Sequence, residues 1–288
     1  MGVFKAIANG LGTTVRKPLV LAVLYAVNVV FSAAAAVPFL AIAQAELGHS
    51  LLGSSVRPAD LMWLGETALK YGDALPALLA GLLVAAALYL ALQVFLNGGI
   101  FGRLLDREGK ATLAAFVGDC GRYFGRFTRI FLVSLVFLFL TFGIVLELVS
   151  ALIEPAMKAA PTEWLPLILS NAHFLIALLL LSVVHMVVDY TRIAVVADDE
   201  RRVLKALRHA LIFLKRRFFR AWALYLLIAG AALAGTIVLS AVLGPLGGPG
   251  TAPVVAAFAI MQIYILFRLL VRMLFVAAQA EFYRSHPY

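Results

Sequence analysis

The sequence predicts an all-α integral membrane protein. It has six transmembrane helices and three interfacial amphipathic helices, arranged as three tandem units of surface helix, span and span. Three observations predict this. Hydrophobic residues make up 64% of the chain and charged residues only 14%, where a soluble domain carries roughly 25% charged residues. Six continuous apolar runs lie near residues 18–44, 74–97, 128–152, 165–190, 218–243 and 253–280, and a run of about 20 residues crosses a hydrocarbon core about 30 Å thick. A basic amphipathic stretch also recurs three times: VFKAIANGLGTTVRK at 3–17, LAAFVGDCGRYFGRF at 113–127 and VLKALRHALIFLKRR at 203–217. Overlaid without gaps, the copies put Arg16, Arg126 and Arg216 in register. Self-similarity of this kind sets the architecture before any single residue is interpreted.

The apolar runs must be helices, because lipid cannot hydrogen-bond an open backbone. A transmembrane barrel would alternate polar and apolar residues, and these runs are continuously apolar. Orientation follows from the basic residues. Almost all of them, from Lys5, Arg16 and Lys17 through Arg201 to Arg284, fall on one side, against Arg57, Lys70 and Lys158 on the other. The excess predicts that both chain ends are cytoplasmic. The formal charge of +9 is thus a topology signal, and aromatic-interleaved phosphate-binding motifs for nucleic acid are absent. The first run is too long for the core of a cleaved signal.

The repeat units are approximately 1–112, 113–202 and 203–288 within a single membrane domain. In the first, Val3, Phe4, Ile7, Leu11 and Val15 form an apolar stripe at helical spacing, which suits a helix lying at headgroup level. The excess length of this unit falls in the outer loop at 45–73, where Pro58 and ADLMWLGETALKYG predict a short amphipathic helix. Asn97, Gly98, Gly99 and Gly102 give the second span a flexible or closely packed end. In the second unit Thr112 is a plausible N-cap, and the lone Cys120 is a small packing residue with no partner for a disulfide. Asp198, Asp199 and Glu200 precede the third surface helix, where carboxylates suit a helix N-terminus. Its stripe is Val203, Leu204, Leu207, Leu211 and Leu214. GPLGGPG at 244–250 breaks the chain between the last two spans.

Polar residues inside spans are the natural functional candidates. Asn28 and Gln262 fall near mid-membrane and serve first as interhelical glue. His185, Asp189 and Arg192 step along the fourth span, as do Arg268 and Arg272 along the sixth. The expectation is an intramembrane ion pair of Asp189 with Arg268 or Arg272, with His185 beside it. The functional version of the same cluster is a proton or anion relay. Arg126, Lys215, Arg216, Arg217 and Arg220 are the expected contacts for anionic lipid headgroups, each worth about 1 kcal/mol near a charged surface. Catalysis lacks its motifs: there is no HExxH, no GxSxG and no phosphate-cradling loop. The five histidines are too dispersed to hold a metal, and no cofactor is expected.

DYTRIAVVADDERRVLKALRHALIFLKRRFFRAWALYLL at 189–227 and QIYILFRLLVRMLFVAAQAEFY at 262–283 resemble segments of uncharacterised bacterial six-helix membrane proteins. These are distantly similar to the membrane domain attached to some glycerophosphodiester phosphodiesterases. The resemblance implies a six-span protein of the bacterial inner membrane and brings no active site, since the soluble phosphodiesterase barrel is absent here. Two functions are then expected. The favoured one is a non-enzymatic scaffold or accessory subunit that organises lipids or a membrane protein partner through its basic helices. The alternative is a carrier or channel for a small or lipidic solute. A scaffold should have an apolar, tightly packed centre. A carrier should contain a cavity lined by Asn28, Gln262, His185 or the sixth-span arginines.

Overall fold

The computed structural model describes residues 2–47, 72, 75–106, 109, 112–160, 162, 164–244 and 251–285. These form seven helices: α1 (Val3–Val15), α2 (Pro18–Leu47), α3 (Leu75–Leu105), α4 (Leu113–Lys158), α5 (Trp164–Ala197), α6 (Val203–Leu243) and α7 (Thr251–Arg284). Six of them, α2 to α7, are long and apolar enough to cross a membrane. The amphipathic helix expected at 58–72 and most of the breaker at 244–250 lie outside the described residues.

Local chemistry sets the helix boundaries. Pro18 has no N–H to continue α1 and disfavours helical geometry at the preceding residue. The chain therefore turns at Arg16 and Lys17, and Pro18 becomes the first residue of α2, a position it tolerates well. Thr112 caps α4, its hydroxyl accepting from the Ala115 amide at 3.2 Å. Among the described residues, only the first basic stretch forms a separate helix, α1. The second and third basic stretches are instead the first turns of α4 and α6. No proline stands just after Phe127 as Pro18 stands after Lys17, so α4 runs straight through it. α6 bends at Arg217 (φ −139°, ψ 24°), the residue in register with Lys17. Further along, α4 carries a π-helical turn at Thr141–Val145.

At the centre, α3, α5 and α7 touch one another. Around them α2 packs on α3 and α7, α4 on α3 and α5, and α6 on α5 and α7. Each basic stretch seats on the end of a central helix. Phe116 and Cys120 pack on Gly98 and Gly99 of α3, and Phe213 stacks against Tyr190 of α5 with centroids 5.1 Å apart. Gly10 of α1 lies on Ala278 of α7. Burial follows the gapless register of the sequence: Ala6, Phe116 and Ala206 are buried, as are Gly10, Cys120 and Ala210.

The described ends of the chain meet at this basic end, and polar latches tie it together. Lys17 donates to the carbonyls of Arg103 and Asp106, and Arg284 to that of Leu105. Arg103 pairs with Asp119 at 2.5 Å. Asp199 receives Arg126 at 2.7 Å and Arg122 at 3.0 Å, and Tyr283 donates to Asp198 at 3.0 Å. Burial holds the Lys17 amine below its ordinary range, partly opposed by Asp106. The Arg126 hydrogen bond holds the Asp199 carboxyl below the usual carboxylate range.

Candidate functional site

Three helices present polar side chains at helical spacing to a common space. Tyr25, Asn28 and Ser32 share one face of α2, Tyr89, Gln93 and Asn97 one face of α3, and Gln262, Arg268 and Arg272 one side of α7. Residues three or four apart lie on the same side of a helix, so the α2 and α3 sets converge without distortion, as do Arg268 and Arg272 one turn apart on α7. Tyr25 donates to the Gln262 carbonyl oxygen at 2.9 Å. Tyr89 donates to Asn28 at 2.5 Å, while the Asn28 amide donates back to the Leu24 carbonyl at 2.7 Å. The Arg272 guanidinium spreads onto two neutral acceptors of α3, Gln93 Oε1 at 2.6 Å and Asn97 Oδ1 at 2.7 Å. Arg268 sits over the Tyr264 ring, 5.9 Å from its centroid.

Apart from Leu24, Gln93, Asn97 and Tyr264, these residues border a cavity of about 770 Å³ between α2, α3 and α7. Its end nearer the basic side holds Arg268 and Arg272, and its other end is lined by Phe258, Val29 and Ala33. Small-molecule sites occupy about 300–1,000 Å³, so the space is of ligand size. A second cavity of about 290 Å³ adjoins it at Arg268 and Arg272. Asp189 and Arg192 of α5, Tyr225 of α6 and Asn97 of α3 line it, and so do Arg268 and Arg272. The two arginines are thus the wall between the cavities.

Asp189 does not pair with Arg268 or Arg272 as the sequence led us to expect. Its carboxylate takes Arg192, 3.0 Å away on its own helix. One helical turn is a shorter reach than a neighbouring helix, and Arg272 is already held by Gln93 and Asn97. His185 is exposed and borders neither cavity. Of the expected lipid-contact residues, Lys215, Arg216 and Arg220 are exposed and Arg217 is half-buried at the bend. Arg126 is engaged by Asp199 instead of being free for headgroups.

No family model, no curated protein and no solved structure matches this chain. The functional reading therefore rests on the geometry. Sequence reasoning singled out Asn28, Gln262, Arg268 and Arg272, and all four line the larger cavity. It missed Tyr25, Tyr89 and Gln93. The signal was present, since Tyr89, Gln93 and Asn97 repeat every four residues along an otherwise apolar span. Among the described residues no group of three His, Cys, Asp or Glu is placed to hold a metal. The arrangement is rich in donors and poor in acceptors, and guanidiniums cannot shed their charge by losing a proton. What it can do chemically is hold an anion.

Proposed function

We propose that this protein is a non-enzymatic, multi-pass membrane protein that takes up an anionic amphiphile in the cavity between α2, α3 and α7, as a carrier of a lipidic solute does. The observation that carries this reading is the cavity itself, cationic at one end and apolar at the other. Its lining runs along α7 from Phe258 to Arg272, roughly 20 Å at about 1.5 Å per residue. An amphiphile standing in one leaflet has the same polarity along its length. A purely structural scaffold has no use for two arginines bordering a hollow at membrane depth, where charged groups are costly and mark ligand pathways.

The reading includes a setting. The basic excess at one end supports a cytoplasmic location for both chain ends, and the resemblance to six-span bacterial proteins supports the inner membrane. The Arg268 and Arg272 end of the cavity then lies at inner-leaflet depth. The burial register of Ala6, Phe116 and Ala206 supports three tandem units about a pseudo-threefold axis, with α3, α5 and α7 around it. Phe4, Leu11 and Val15 are exposed on α1, as are Leu204 and Leu211 on α6, which suits basic stretches whose large apolar side chains enter the headgroup region. Lys215, Arg216 and Arg220 remain available to anionic lipid, and recruitment of a membrane protein partner through this face is the second role the surface supports.

Purification from native membranes, with bound lipids identified by mass spectrometry, tests the proposal. The expected result is enrichment of an acidic amphiphile over its share of the membrane, lost in Gln262→Leu and in Ala33→Phe, which fills the apolar end. Equal lipid profiles for the wild type and both variants would defeat it.

A further inference from the structure

The smaller cavity has a charge balance that the larger one does not explain. Three guanidiniums, of Arg192, Arg268 and Arg272, border it against the single carboxylate of Asp189. Asp189 accepts from one terminal nitrogen of Arg192. Arg272 donates only to neutral carbonyl oxygens, so its charge stays uncompensated by those contacts. Two donors nearby are buried without an acceptor, Arg192 Nε and Gln93 Nε2. A buried donor left unmade costs about 1–3 kcal/mol, more for a charged group. A space that collects cations and open donors is short of one thing, an acceptor carrying negative charge.

We propose that this cavity is an oxyanion site that takes a phosphate group, with Arg192 and Arg272 as its principal donors. Guanidinium forks match the geometry of phosphate oxygens and bind them in pairs. At about 290 Å³ the space suits a headgroup or a free anion better than a whole amphiphile. Arg268 and Arg272 line both cavities, so a phosphate passes from one cavity to the other without leaving guanidinium contact. Asp189 is a positioning residue here: it holds Arg192 in place and occupies the guanidinium while no anion is present. The inference deepens the amphiphile reading, since it names the group recognised and the place where it ends.

The phosphate can belong to a lipid headgroup or to a free ion, and titration distinguishes them. Full-length protein in phosphatidylcholine nanodiscs is titrated with orthophosphate and, separately, with dioctanoyl phosphatidic acid, with binding read by calorimetry. Binding should weaken about tenfold or more when one charge-assisted contact is lost. The first variant is the double substitution Asp189→Asn with Arg192→Gln, which removes both charges of the pair together and leaves no unpaired carboxylate. The second is Val276→Leu, which narrows the cavity without touching a charge and keeps the test valid if the first variant fails to fold. Weakened orthophosphate binding in the variants supports a site for the free ion. Weakened phosphatidate binding alone supports a site for the lipid headgroup. If both variants bind as the wild type does while Gln262→Leu loses phosphatidate, the oxyanion site is wrong and the amphiphile reading stands. If neither probe binds the wild type, both are wrong.

Discussion

The two ends of the bundle are built on different principles. At the basic end the helices interlock. A Cβ placed on Gly10 would lie 2.7 Å from the Ala278 backbone nitrogen, and one on Gly99 would lie 2.6 Å from both Cys120 and Phe116. Nearly all of the buried core lies in this half, and ion pairs tie the helix ends. At the far end Val37, Leu83, Leu152, Ile237 and Val255 are exposed. Lipid tails are as apolar as leucine, so helices gain little by hiding such side chains from them. Packing specificity therefore resides in the basic half. The far half has sparser ties, such as Thr236 with Tyr264 at 2.7 Å and Gly235 against Phe267.

This contrast can be broken deliberately. The largest effect is expected for Gly10→Leu. Overpacking of a close contact costs about 1–3 kcal/mol, and more where backbone must move. The variant should lose most of its thermal stability in detergent, measured by fluorescence-detected unfolding. Arg103→Ala comes next. It strands the Asp119 carboxylate, which is only 13% exposed, and should cost about 2–3 kcal/mol, below the full cost for a wholly buried pair. Gly230→Ala should act in the opposite direction. Nothing lies within 4 Å of the new methyl, and alanine favours a helix over glycine by about 0.5–1 kcal/mol. A loss of stability there would mean that the far half is packed after all.

Asp199→Asn should have the smallest effect at neutral pH, because the pair is half exposed. Its signature is in pH dependence. Arg126 depresses the Asp199 pKa in the folded state. The latch thus contributes stability above the ordinary aspartate range of about 3.9 and loses it as pH falls through the depressed value. Asparagine should flatten that part of the profile without straining the backbone, since residue 199 has φ 44°, a region that asparagine tolerates.

The spans were readable because hydropathy reports lipid exposure directly, and all six runs became helices. Their extensions were not. The sequence divides at 127 and 217 because charges end there, but charge does not stop a helix, and only Pro18 made a true break. The seating face of α1 was not legible for a related reason. The apolar stripe drew attention to Phe4, Leu11 and Val15, which are exposed, while the face that the protein buries is made of Ala6, Gly10 and Thr14. Close helix contacts in a membrane select small residues, while large ones are left for lipid. Within the site, Asn28 and Gln262 stood out against apolar neighbours. Tyr25 and Tyr89 did not, because tyrosine passes for an apolar residue until its hydroxyl finds a partner. That Asp189 would choose Arg192 over Arg268 or Arg272 depended on Gln93 and Asn97 already holding Arg272, a fact of three-dimensional proximity.

The seating of α1 on α7 has a consequence for biogenesis. The first of the described helices to leave the ribosome is the one whose partner is synthesised last among them. Until α7 follows, the small-residue side of α1 has nothing to dock on, and the bundle can be inserted helix by helix yet stay open. Closure is then the final act of assembly, and a cell that inspects for that unmatched face learns whether the whole set of spans has arrived.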